Sequence, residues 1–165
     1  GFRVIYHLEP EMDESKLVNT FDFMPSPWDR EDAMPFEIFN KYLDKRDSCF
    51  SLTFEKRESP ISPYDYRYEE VTGRDLSDWS GSDDHYSEQF EGHRLCGYPS
   101  FTQSDPRLRL PMNEEPYVLL LQIDSENTNK IDIMWGDTGT ANFFIKCSDL
   151  EKLDFSDGLY KWDCC

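Results

Sequence analysis

Asp137-Thr138-Gly139 is the triplet with which aspartic proteases present a catalytic carboxylate, and Thr140-Ala141 extends the match. The chemistry needs two such carboxylates meeting to share one proton, so a chain with one triplet would have to dimerise. The Asp of such a site also follows an apolar strand directly, whereas here Gly136 precedes it. Nothing after Ile145 supplies the apolar-apolar-Gly loop that would support the triplet. Gly136-Asp137 and Thr138-Gly139 read instead as turn chemistry, with glycine supplying positive φ. The triplet is therefore expected in a hairpin turn, and peptide cleavage is not expected.

Other reactive patterns are incomplete in the same way. Asp124, Glu126 and Thr128 fall at the first, third and fifth positions of a calcium loop. The sharp-turn glycine is replaced by Asn129, and the bidentate Glu by Trp135. His85 and His93 stand near Asp83, Asp84 and Glu91 but lack the i, i+4 spacing of a helical metal pair, and His7 is remote. No metal site and no cofactor are expected. No serine occupies a G-x-S-x-G elbow, and no phosphate loop is present. His93 and Cys96 lie close in sequence, unlike the distant Cys and His of nucleophilic enzymes. No catalytic residue emerges from this survey.

One segment has the composition of an interface. Residues 75–91, "DLSDWSGSDDHYSEQFE", contain Asp75, Asp78, Asp83, Asp84, Glu88 and Glu91, with no Lys or Arg. They also carry Trp79, Tyr86 and Phe90. A solvated loop needs the acids but not the aromatics. Aromatic anchors ringed by acids would suit a basic partner, although aromatics folded back into the core would give the same sequence.

The elements that must position these residues are read from periodicity. "FRVIYHL" (2–8) alternates as a strand. Residues 9–34 are acidic and proline-containing and read as a loop. Pro35 opens "FEIFNKYLDKRD", where Phe36, Phe39, Tyr42 and Leu43 recur at helical spacing. "CFSLTF" (49–54) and "YDYRYEEV" (64–71) read as strands, and a short helix is expected near 84–91. "PYVLLLQID" reads as a buried central strand, with "IDIMW" pairing next to it across a polar turn, then "TANFFIK". Ser148 with Glu151 suggests a capping box, and "LYKWDCC" closes the chain. The plan is α+β: a mainly antiparallel sheet, a meander at the C-terminal end, with a few short helices packed on it.

Charge excludes several function classes. Thirty-four acids against seventeen bases give −17, with an aromatic content of 15% that marks a folded chain rather than a disordered acidic one. Such a surface repels phosphate backbones and anionic lipid, so neither nucleic acid nor membrane is an expected partner, while a basic protein is allowed. No run approaches the length of a membrane span, and no signal peptide is read. Five cysteines without C-x-x-C spacing read as reduced thiols, which points to the cytoplasm.

"GHRLCGYPSFTQSDPR", "LLLQIDSE", "IMWGDTGTANFFI", "SDLEKLDFS" and "YKWDCC", in this order, resemble the YwqG family of bacterial proteins, a domain of unknown function. The resemblance is specific over 92–165 and looser before, and it implies a single domain over 1–165. Family members are longer at the N-terminus, so the chain is expected to be short or the C-terminal portion of a longer protein. In the latter case an exposed sheet edge would favour homo-oligomers. The resemblance implies no agreed activity, cofactor or active site. Its recurrent residues include Gly97, Pro99, Asp124, Gly139, Phe144 and Asp163, together with Gln103, Asp105, Gln122, Trp135 and Asp137. A non-enzymatic, protein-binding or immunity-like role is expected. The alternative is an enzyme or small-ligand binder with a pocket around Gln103, Asp105, Gln122, Trp135 and Asp137.

Overall fold

The longest apolar run of the chain forms its central strand. A computed structural model describes residues 13–16, 36–40, 45–46, 52–75, 90–111 and 114–165. Strands β1 (Phe36–Asn40) and β2 (Lys45–Arg46) come first, then helix α1 (Tyr68–Thr72) and strand β3 (Arg94–Leu95). Strands β4 (Tyr117–Asp124), β5 (Glu126–Asn127), β6 (Ile131–Trp135) and β7 (Thr140–Lys146) follow, then helix α2 (Cys147–Glu151) and strand β8 (Leu159–Asp163). They form two four-stranded antiparallel sheets, ordered β3-β4-β7-β8 and β2-β1-β6-β5. The expected α+β architecture, with a mainly antiparallel sheet and short helices, is present.

A register shift between Leu119 and Leu121 decides what the central sheet presents. The extra residue of a bulge reverses the in-out phase. Tyr117 and Leu119 therefore share a face with Gln122 and Asp124, opposite Phe144, Asn142 and Thr140 of β7. Leu119 and Phe144 pack there with Phe101 and Tyr117, and Leu110 and Leu159 pack against them. On the other face Ala141, Ile123, Phe143, Tyr160 and Trp162 pack against Ile133 and Trp135 of β6. The central sheet is thus covered on one face by irregular chain and on the other by the second sheet.

Several local expectations are corrected. "IDIMW" does not pair with the central strand: β6 joins β5 and β1 in the second sheet, while β4 pairs directly with β7. The helix read from Pro35 onward is replaced, at its described positions, by β1 and β2. Five-residue pairing with β6 overrides the local helical spacing. In "CFSLTF", residues 52–54 form no regular structure, and 49–51 lie outside the described residues. "YDYRYEEV" turns and then enters α1. Ser62 and Asp65 set that turn: the Tyr64 amide donates to Ser62 Oγ at 3.2 Å and the Arg67 amide to Asp65 Oδ1 at 3.0 Å. Ser148 lies within α2 rather than before it. Its amide and hydroxyl donate to Glu115 at 2.8 and 2.6 Å, so a distant carboxylate caps that helix. The expected strand at 2–8 and helix near 84–91 lie outside the described residues, apart from Phe90 and Glu91 at the end of the latter.

Candidate functional site

Asp105 precedes a tight 3-10 turn at Pro106–Arg109, and Arg107 folds back onto it. Arg107 Nε and Nη2 donate to the two Asp105 oxygens at 2.9 and 2.7 Å. Nη2 also reaches Asp65 at 2.8 Å, and Nη1 donates to the Tyr117 carbonyl at 3.1 Å. The rings of Tyr66 and Phe144 lie 4.8 and 4.9 Å from the guanidinium carbon. Asp65 takes a second fork from Arg67 at 3.1 and 3.0 Å. Burial works against ionised Asp65, yet the hydrogen bonds and charges of Arg67 and Arg107 outweigh it and hold the carboxyl below its usual range. A bidentate, buried arrangement of this kind positions chain segments; its donors and acceptors are spent on one another.

The polar ends of β4, β7 and β8 hold the covering chain. Gln122, fully buried, accepts from the Ser100 amide at 2.7 Å and donates to the Gly92 carbonyl at 2.8 Å and that of Phe90 at 3.3 Å. Asn142 donates to the Ser100 carbonyl at 2.7 Å. The Asp163 carboxylate accepts the amides of Thr102, Gln103 and Ser104 at 3.2, 3.2 and 3.4 Å. Asp124 accepts the Gly92 amide at 2.7 Å, the Ser125 amide at 2.9 Å and the Thr140 hydroxyl at 2.7 Å. These side chains supply the partners that buried loop backbone requires.

The five residues of the expected pocket fall in separate surroundings. Gln103 is exposed and its amide nitrogen donates to the Cys164 carbonyl at 2.6 Å. Asp105 belongs to the arginine cluster, and Gln122 is buried beneath the 90–100 chain. Trp135 is buried on the opposite face of the sheet, and Asp137 is exposed in the β6–β7 turn. The structure brings Gln103 and Asp105 into one loop above the face that carries Gln122, and separates Trp135 and Asp137 from them. Of the acidic segment, Asp75 and Glu91 are exposed and Phe90 is buried. Asp78, Trp79, Asp83, Asp84, Tyr86 and Glu88 lie outside the described residues.

The triplet turn has a different logic from that expected. Positive φ falls on Gly136 (56°) and on Thr138 (60°), a strained conformation for a β-branched residue. Gly139 is instead needed for space, because its position meets the backbone of Asp163.

A groove of about 310 Å³ opens beside this turn, between the end of β4, the start of β7 and the covering chain. Asp124, Ser125, Thr138 and Thr140 line one side and Tyr64, Phe90, Glu91, Phe101 and Thr102 the other. None of the five expected pocket residues lines it. A signal for it was available in the sequence: Asp124 and Thr140 are polar residues at the ends of apolar strands, and they face each other across the ladder. Their pairing depends on the bulge, which no periodicity displays. Among the described residues, no group of three or more His, Cys, Asp or Glu side chains is placed to hold a metal ion, and no helix is long and apolar enough to cross a membrane.

Fold and site together define an α+β domain whose buried carboxylates organise loops. The chain belongs to a family described as a domain of unknown function (DUF1963), whose model matches residues 1–164. No curated protein matches it.

Proposed function

We propose that this domain is a non-enzymatic interaction module that binds a basic protein, in an immunity-like role in the cytoplasm. The observation that carries this reading is the use of the acids. The aspartates buried among the described residues (Asp65, Asp105, Asp124 and Asp163) all accept bonds that hold loops or arginines in place. The large remaining acidic excess of a chain at −17 is then available for long-range attraction of a cationic partner. The finer resemblance to YwqG-type domains agrees with the family membership and brings no catalytic residue with it.

The acidic segment 75–91 is the steering surface in this reading. Asp83→Asn, Asp84→Asn and Glu88→Gln together should slow association with a purified basic partner several-fold, mainly in the on-rate. The difference should shrink at high salt, since exposed charges are screened beyond about 8 Å at physiological ionic strength. Association kinetics at low and high salt measure this. An unchanged on-rate at low salt removes the segment from the interface.

A further inference from the structure

We propose that the groove beside Asp124 binds a cationic head group, an alkylammonium or alkylguanidinium, whose charge pairs with the Asp124 carboxylate. The other buried aspartates among the described residues have a cation within ion-pair reach. Asp65 and Asp105 meet Arg107 at 2.8 and 2.7 Å, and Asp163 lies 3.9 Å from Lys161. Asp124 is 8% exposed, and the three groups that donate to it are all neutral. Arg94 feels its charge, but that guanidinium is spent on Ser59 Oγ and on the carbonyls of Phe90, Glu91 and Tyr98. It makes no direct ion pair with Asp124. A buried, hydrogen-bonded carboxylate that has no direct ion pair among the described residues carries a desolvation cost that a cation would offset.

The groove suits that cation. Its volume of about 310 Å³ lies at the small end of ligand sites. Among the described residues no Lys, Arg or His lines it, and the exposed acid Glu91 does. Tyr64, Phe90 and Phe101 are among its lining residues, an aromatic content compatible with a cation. An anion would meet two carboxylates on a chain of net charge −17. A neutral polyol would leave the Asp124 charge as it stands. The head group can come from a free amine or from a Lys or Arg side chain of a protein. The second source rests on the basic-partner reading above and names one anchor for it; the first does not.

The test is a titration of the isotope-labelled chain, followed by amide shifts, with agmatine, an arginine-containing tripeptide and butylurea as the uncharged counterpart. Agmatine should shift the amides of Gly92, Ser125 and Thr140, and butylurea should bind at least about tenfold more weakly. Asp124→Asn should weaken agmatine about tenfold or more, and Glu91→Gln, at an exposed position, several-fold. Should Asp124→Asn fail to fold, Glu91→Gln and the butylurea comparison decide. Tighter binding of the tripeptide than of agmatine assigns the site to a partner's side chain, and the reverse assigns it to a free amine. The proposal is overturned by the absence of shifts up to about 10 mM agmatine, by equal binding of butylurea, or by binding that both variants retain. Because agmatine needs no protein partner, these outcomes are separate from the kinetics of the acidic segment.

Discussion

The backbone carbonyl of Asp163 occupies the place that a Cβ on Gly139 would take. The last strand is thereby seated against the β6–β7 turn, where the Gly139 amide donates to the Trp135 carbonyl at 2.8 Å and its own carbonyl accepts from Ser125 Oγ at 2.7 Å. The glycine of the protease-like triplet is a steric requirement of strand β8.

Gly139→Ala should therefore be the most damaging single-methyl addition in this turn. Backbone must move, since the obstacle is main chain and not a flexible side chain. A loss of about 3 kcal/mol is expected, read as a fall in Tm of on the order of 10 °C for a chain of this size. An unchanged melting curve would show that β8 is not seated this tightly.

Asp137→Asn, two residues away at an exposed tip, should change stability by less than about 0.5 kcal/mol. Incubation of either protein with a broad peptide library from acid to neutral pH should show no cleavage. Pepstatin-sensitive cleavage lost in the variant would restore the catalytic reading of the triplet.

Arg107→Leu should cost about 3–5 kcal/mol, because it leaves Asp65 and Asp105 buried without the cation they share. Arg107→Lys should recover only part of this, since one ammonium cannot reproduce the fork to Asp105 and the bonds to Asp65 and Tyr117. Denaturant unfolding of both variants checks the order; equal stability of Lys and Arg would argue against a geometric role.

Acid should unfold the wild type partly through Asp65. Burial disfavours its charge, but Arg67 and Arg107 more than compensate and hold its folded pKa below that of an ordinary aspartate. A depressed carboxyl binds its proton more readily in the unfolded chain. Its contribution is complete above the unfolded value, near 4, and is lost as pH falls through the lower folded value. Asp65→Asn should be less stable at neutral pH and show a shallower decline below about pH 4. Parallel declines in the two proteins would place the acid sensitivity elsewhere.

Gln122→Leu should free the 90–100 chain without emptying the core. It strands the Ser100 amide and removes the side-chain donor of the Gly92 carbonyl, at about 1–3 kcal/mol for each buried group left unsatisfied, while the Phe90 carbonyl keeps its bond from Arg94. Hydrogen exchange at Ser100 should accelerate well beyond that of the β4–β7 ladder. Uniform acceleration would mean that Gln122 supports the whole sheet instead.

Much of the central sheet was legible in the sequence because its signals are local. "YVLLLQID", "TANFFIK" and "LYKWD" are apolar or alternating runs between turn residues, and each is a strand. The excess of acids makes phosphate-rich partners unexpected without reference to any fold. The misplaced triplet was recognisable as a turn from residue type alone; the polar stretch after Asp124 also reads as a turn, yet Glu126–Asn127 pairs with β6 as strand β5.

Three things were decided by tertiary structure. Phe36–Asn40 has the spacing of a helix but is a strand, because β6 offers its backbone a partner that the sequence places nearly a hundred positions away. Arg107 and Asp65 carry no joint signature, being separated by 42 residues and joined only when the loop folds over the sheet. The bulge at Leu119 and Leu121 reverses the phase of one strand, turning Gln122 and Asp124 toward the covering chain. A period of two says which residues alternate, but it cannot say where one residue will be inserted in the ladder. That insertion, made when β4 pairs with β7, places the Asp124 carboxylate at the groove.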